Sequence, residues 1–348
     1  MGGTREVALY DRRIPCGTTY NNNQVIAMRR TLIALLAACS FSAVAADNWK
    51  PFPYDQSAYD YSGDKLRQAW PQLTRGFGAN YPFPDADWVV TMATTHPQAL
   101  EKTVLANTGF TGKPEEAEIY AAKLQDVWRL MFRGDFAEAK KQGLALGVGG
   151  QIPAMFAQVV YAMFLVPDQA EKHKLLEEVI SYTDQAGELV QADTVAQFGR
   201  VYAKARLGEE LSVPVVLKRG YTSQIPDELK ALLAKQPNQP FALALYGGYE
   251  AGVIRKVGKM VGRMTYGVSA DNMEKYFSRS FKAQDNLPIG HYEYANALTY
   301  VYGDDEQAKA LQHLKRAVAI KPINAMEALE VAHAQKMLAQ YEQKLAQK

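Results

Sequence analysis

Five histidines, one glycine-rich run and a few acidic pairs are the residues of this chain whose types suit catalysis or metal binding. His96, His173, His291, His313 and His333 include no pair four residues apart, the spacing that sets two imidazoles on one helical face around zinc, and no His-Glu-x-x-His occurs. No Gly-x-Ser-x-Gly turn presents a nucleophilic serine. Gly147-Val148-Gly149-Gly150 has no Lys-Ser/Thr after it and no strand before it, so it reads as a connection between helices. Glu115-Glu116 and Asp304-Asp305 stand at expected helix starts, where the positive end of the helix dipole accounts for them. A glycosidase pair would need two carboxylates facing one cleft, which chain spacing does not supply. The expectation is a protein that is not an enzyme and carries no metal and no cofactor.

A different chemistry is concentrated further along. Arg255, Lys259 and Arg263 recur every four residues with Lys256 beside them, so on one continuous helix they share a face. Val253, Val257, Met260, Val261 and Met264 form the opposite stripe. The basic row is a candidate face for an anionic partner such as an acidic peptide, a lipid head group or a glycan phosphate; a solvated helix face is the alternative. Gly248, Gly252, Gly258 and Gly262 fall four apart in two pairs on the same stretch. Each glycine inside a helix costs about 1 kcal/mol, and close packing against a neighbouring helix is the expected reason for them.

The elements that must hold these residues read as helices. Residues 47–84 are rich in aromatics and proline: Trp49, Phe52, Tyr54, Tyr59, Tyr61, Trp70, Tyr81 and Phe83. Such rings serve as a carbohydrate or peptide platform, or pack over the open end of the first helices. Helices are expected over about 64–74 and 85–94. From Pro114-Glu115-Glu116 the chain turns strongly helical, with proline and acids in a first turn. Tyr120, Leu124, Val127, Leu130 and Met131 then recur at helical spacing, and Arg133-Gly134-Asp135-Phe136 makes a tight turn into the next helix. Residues 151–164 and 171–182 read as a further hairpin, and one long helix is expected over about 241–264.

The same pattern returns later. Tyr294-Ala295-Asn296-Ala297-Leu298 leads to Tyr302-Gly303-Asp304, then Ala310, Leu314, Ala317 and Pro322. This spacing resembles the tetratricopeptide repeat, a helical hairpin of about 34 residues with small residues where its helices touch. Met273, Phe277 and Ser280 stand where Ala310, Leu314 and Ala317 stand later, after Leu245-Tyr246-Gly247. Weaker copies are legible over 198–237 and 120–147. Gly303 to Ala310 is two residues longer than the family's usual turn. The long helix followed by residues 272–283 is also similar to the repeat region of regulator-of-microtubule-dynamics proteins. The resemblance implies an all-α fold, a tetratricopeptide-like array of helical hairpins, over 113–348, preceded by an aromatic-rich helical segment, 47–112. Stacked hairpins bury one another's second apolar face and leave a concave groove. It also implies that Tyr292, Asn296, Thr299 and Tyr300 lie on a groove-lining helix, where asparagine offers a peptide backbone both donor and acceptor. The last helix, with Met326, Leu329, Met337, Tyr341 and Leu345 on one side, has the composition of a solvating cap.

The N-terminus bears on location. Met28-Arg29-Arg30, an apolar run and Ala43-Val44-Ala45-Ala46 are the head, middle and exit of a secretory signal. The apolar part is shorter than the ~20 residues of a spanning helix. Residues 28–46 are expected to be cleaved after Ala45 or Ala46, and residues 1–27 read as an extension ahead of the true start. Leu36-Ala37-Ala38-Cys39 also resembles a lipobox, so Cys39 is a candidate lipidation site in the alternative. Of the 39 Lys+Arg and 37 Asp+Glu, residues 1–46 hold 5 and 2, which leaves 34 against 35 and a net charge of −1. A near-neutral chain has no global electrostatic reason to bind nucleic acid. The expected function is a periplasmic scaffold or adaptor that holds a protein or peptide of the cell envelope in a helical groove. The alternatives are an envelope glycan-binding protein or enzyme using the aromatic segment, and an outer-membrane lipoprotein that serves as an assembly factor.

Overall fold

The computed structural model describes residues 49–347, and every regular element there is helical. The extension over 1–27, the signal over 28–46 and Cys39 lie outside the described residues. Proline in the first turn starts several helices, and side chains cap others: Asp85 accepts from Trp88 N, Asp168 from Glu171 N and Asn324 from Glu327 N.

The aromatic segment contributes α1 (Lys65–Leu73), α2 (Ala86–Thr95) and α3 (Pro97–Leu105). Antiparallel hairpins follow. An inner row comprises α4 (Pro114–Arg133), α6 (Gln151–Phe164), α9 (Thr194–Glu210), α12 (Pro240–Val257), α14 (Pro288–Tyr302) and α16 (Ala325–Ala346). Between them in sequence come α5 (Phe136–Ala145), α7 (Gln169–Ala186), the short α8 (Glu188–Ala192) and α10 (Val213–Lys218), α11 (Tyr221–Lys235), α13 (Ala270–Ala283) and α15 (Gln307–Ala319). Each inner helix packs on the next, while α5, α7, α11, α13 and α15 back the gaps between them. This is a helical array in which every hairpin buries its second face on a neighbour. Met273, Phe277 and Ser280 are buried on α13, as are Ala310, Leu314 and Ala317 on α15.

Two expectations are corrected. The C-terminal helix is more than a solvated cap: its first two turns, from Ala325 to Val331, are buried, and α16 packs against α4 and α6 as well as α14. The inner row thereby meets itself, and α6 is enclosed on all sides, with every residue from Ile152 to Ala162 buried. The aromatic segment does more than cover the open end of the first helices. Trp70 meets Trp128 edge-on at 5.3 Å, and Phe77 reaches Phe156 and Phe241 at 4.8 and 5.8 Å. Arg75 forms a buried ion pair with Glu327 on α16 at 2.7 Å. The Tyr61 hydroxyl donates to the Ile323 carbonyl. Aromatic side chains bury large apolar areas, and here they join the first helices to the last.

Candidate functional site: the rim of α12 and α14

The expected long helix is two pieces. Helix α12 stops at Val257 because Gly258 takes φ +83°, ψ 160°, a backbone open to glycine and strained for other residues. A single turn, Lys259–Val261, and a π-turn, Gly262–Tyr266, follow before α13. Arg255, Lys259 and Arg263 therefore do not form a row on one continuous helix. The four glycines also divide by role. A Cβ on Gly248, Gly252 or Gly258 would meet nothing within 4 Å, whereas one on Gly262 would meet Val268 at 2.9 Å. Close helix packing is not what Gly248 and Gly252 serve.

The tertiary structure nonetheless gathers the two groups of candidate residues. The Arg255 guanidinium lies over the Tyr300 ring at 4.6 Å, and the Lys259 ammonium over the Tyr302 ring at 5.0 Å. Lys256 donates to the Leu211 carbonyl at 2.8 Å, tying this corner to the preceding hairpin. Arg263 is exposed on the π-turn. Beside these cations Met260, Val261 and Met264 are 73%, 44% and 79% exposed. The corner is thus an apolar knob ringed by positive charge.

The proposed groove residues on α14 separate. Tyr292 is buried and meets His333 of α16 edge-on at 5.1 Å. Thr299 is half-buried, donates to the Ala295 carbonyl at 3.0 Å and shares a hydroxyl–hydroxyl bond with Tyr341. Asn296 is half-buried, and Tyr300 is exposed at the rim. Burial pushes the Tyr300 hydroxyl up, against the pull of the Arg255 guanidinium. Next to Asn296 on the helix, Glu293 pairs with the buried Arg206 of α9 at 3.1 Å, and Arg206 also holds Glu209 at 2.9 Å. Arg206 lies over the Tyr202 ring at 4.7 Å. Its charge is met on three sides within the fold.

Sequence spacing missed two further clusters. His291 and His313, 22 residues apart, meet with their Nδ1 atoms 2.9 Å apart under the Phe281 ring. Among the described residues no group of three histidines, cysteines or carboxylates could hold a metal ion. Glu330 is buried on the wall of a largely apolar cleft of ≈ 30 Å³ between α6, α9, α12, α14 and α16, and its Oε2 has no hydrogen-bond partner. That is about the space of one water molecule. Among the described residues of that wall, Tyr202 is the one besides Glu330 whose side chain carries a polar atom. Neither pairing has a sequence signal, because each joins side chains from elements far apart in the chain.

Among the described residues no helix is long and apolar enough to cross a membrane. Compared with protein-family models, curated proteins and solved structures, the chain matches none.

Proposed function

We propose that this chain is a non-catalytic, tetratricopeptide-type scaffold of the bacterial cell envelope, and that it holds a protein partner at the rim formed by the end of α12 and by α14. The observation that carries this reading is the corner at Met260, Val261 and Met264, three large apolar side chains exposed together amid Arg255, Lys256, Lys259 and Arg263. Single exposed apolar residues are ordinary, but a contiguous patch rimmed by charge is characteristic of interaction sites. The burial of the repeat-like positions Ala310, Leu314 and Ala317 supports the tetratricopeptide assignment. The signal-like residues 28–46 support export to the periplasm, with lipidation of Cys39 as the alternative route to the outer membrane.

The partner on this reading presents an acidic surface around an apolar recess. A central groove contributes less than the rim, since Tyr292 is buried and α16 fills the inner row. The test is capture of partners from the native envelope with the wild-type protein and two variants, Met260→Ser/Met264→Ser and Arg255→Glu/Lys259→Glu/Arg263→Glu. Both variants should lose the partner, and capture by the wild type should weaken as salt rises, because exposed charges are screened over about 8 Å at physiological ionic strength. Retention of the same partner by both variants, with melting temperatures unchanged, would refute the rim. Recovery of lipid instead of protein would make the corner a membrane contact. Mature material beginning at Ala46 or Asp47 would bear out export. Loss of membrane attachment in Cys39→Ser would select the lipoprotein route.

A further inference from the structure

A second site lies away from that corner. A cleft of ≈ 910 Å³ opens between the loop over residues 78–81 and the C-terminal ends of α11 and α13. Ligand pockets commonly enclose about 300–1,000 Å³. Every charged side chain on its wall is a cation: Arg75, Lys235, Arg279 and Lys282. Arg75 is neutralised by Glu327 at 2.7 Å. Lys235 donates to the Gln191 carbonyl, and Arg279 to the Pro237 carbonyl at 2.6 Å. Among the described residues Lys235, Arg279 and Lys282 have no carboxylate within ion-pair distance. Cations in a last helical turn answer the negative end of the dipole, yet here two helices bring theirs to one concavity. A cleft lined by one sign of charge focuses the field and attracts counter-ions.

The rest of the wall is equally selective. Four side-chain amides, Asn80, Gln236, Asn238 and Gln284, line it; Gln284 Oε1 accepts from Asn286 N at 3.3 Å, while the exposed Asn80 and Asn238 each offer a donor and an acceptor. Gln236 is held in place: its Oε1 accepts from the Thr194 hydroxyl at 2.8 Å and from Gln239 Nε2 at 3.1 Å. Its Nε2 is thereby set over Gly78, where a Cβ would stand 2.0 Å away, and Gly78 has φ +101°. Only glycine serves there, on both counts. The Trp70 and Tyr81 rings also line the cleft, 6.1 Å apart and 22° from parallel, and Trp70 Nε1 donates to the Tyr81 carbonyl at 3.0 Å.

We propose that this cleft binds an acidic oligosaccharide. The three cations meet its carboxylates, the exposed amides of Asn80 and Asn238 meet its hydroxyls, and the half-buried Tyr81 ring, backed by the buried Trp70, gives an apolar surface for a sugar ring. An acidic peptide would use the cations but has no need of the amides beside them. Binding here is independent of the protein partner at the α12–α14 rim.

The experiment is isothermal titration of the protein, as processed by the cell, with three probes: tetragalacturonate, neutral maltotetraose and hexaglutamate. Tetragalacturonate should bind, its affinity should fall as salt rises, and the other two should bind at least tenfold more weakly. Lys235→Glu/Lys282→Glu should weaken tetragalacturonate at least tenfold with an unchanged melting temperature, since both side chains are exposed. Should the double variant lose helicity, Lys282→Ala carries the test, with a several-fold loss expected. Met260→Ser/Met264→Ser should bind the saccharide as the wild type does. No binding of tetragalacturonate, equal binding by a folded cleft variant, or equal binding of hexaglutamate would each overturn the proposal.

Discussion

The Arg255 guanidinium lies 4.6 Å from the centre of the Tyr300 ring, joining the end of α12 to α14. A cation over an aromatic face at an exposed site is worth about 0.5–1 kcal/mol. Arg255→Ala and Tyr300→Leu should each lower stability by roughly that amount, and the double variant by little more than one of them. Chemical denaturation of the four proteins checks this. Fully additive losses would mean that the two side chains do not interact, and charge reversal at Arg255 would then report on partner binding alone.

The Arg75–Glu327 pair, at 2.7 Å, is buried on both sides and ties the aromatic segment to α16. Removing one partner of a buried ion pair strands the other charge, at a cost of about 3–5 kcal/mol. Arg75→Met is expected to lower stability by that order. Arg75→Met/Glu327→Leu should regain much of the loss, because neither charge of the pair is then left buried without its partner. Thermal and denaturant melts read both variants. A loss below about 1 kcal/mol in the single variant would mean that the segment is held by its aromatic contacts alone.

Glu330 is buried with an unpartnered carboxyl oxygen in an apolar cleft, and desolvation raises its pKa well above the ordinary value. A folded-state pKa above the unfolded one means that the group's contribution is fully present below about pH 4.5 and is lost as pH rises toward the folded value. Glu330→Gln should therefore stabilise the protein by about 1 kcal/mol or more at pH 8 and by less at pH 4. Denaturant titrations at both pH values test it. A destabilised Gln variant at pH 8 would show that the carboxylate has a partner in solution.

The His291–His313 contact titrates in the opposite sense. Since His291 Nε2 faces the Asp285 carbonyl at 2.9 Å, it carries the proton, and His291 Nδ1 accepts from His313 Nδ1. A second proton on His291 would sit on Nδ1 and set two N–H groups against each other. Burial lowers both pKa values, His313 to about 4, with Arg316 and Lys309 adding repulsion there. Folded values below the unfolded ones give stability that is present above about pH 6.5 and lost as pH falls toward 4. At 1.4 kcal/mol per unit the shift at His313 would be worth about 3.5 kcal/mol in full, and solvent screening of a partly exposed group brings the expected loss to roughly 1–2 kcal/mol. His313→Leu should flatten the stability profile between pH 4 and 6.5; an unchanged profile would assign the acid sensitivity to other groups.

Adjacent glycines on α12 make a paired test. A Cβ on Gly247 would stand 2.6 Å from the Phe277 ring of α13, while one on Gly248 would meet nothing within 4 Å. Gly247→Ala should cost about 1–3 kcal/mol as overpacking, and Gly248→Ala should be neutral or stabilising by up to about 1 kcal/mol. Loss of stability at Gly248 would indicate that its face is covered in solution.

The local rules that act within one turn of chain were legible in the sequence. Proline with acids at residues 114–116, and the spacing of Met273, Phe277 and Ser280 or of Ala310, Leu314 and Ala317, fix where a helix starts and which faces are buried. They were enough to place an all-helical array of hairpins. The break at Gly258 had a signal in its glycine, but the apolar and basic periodicity runs on through residue 264 and outweighs it when the sequence is read alone.

What the tertiary structure decided is everything that joins residues far apart in sequence. Tyr292 and Tyr300 share α14, yet only the packing of α16 makes one a core residue and leaves the other at the rim. Helix composition could not show that Glu327 and Glu330 are buried, because α16 carries enough Lys, Gln and Glu to pass for a solvated cap. The meeting of His291 with His313 and the cleft lined by Asn80, Gln236 and Arg279 depend on how hairpins stack, not on any spacing within them. Period and capping specify an element and its buried face. Which element supplies the cover depends on long-range burial, and that choice here closed the inner row, moved the candidate site from groove to rim and built the cleft.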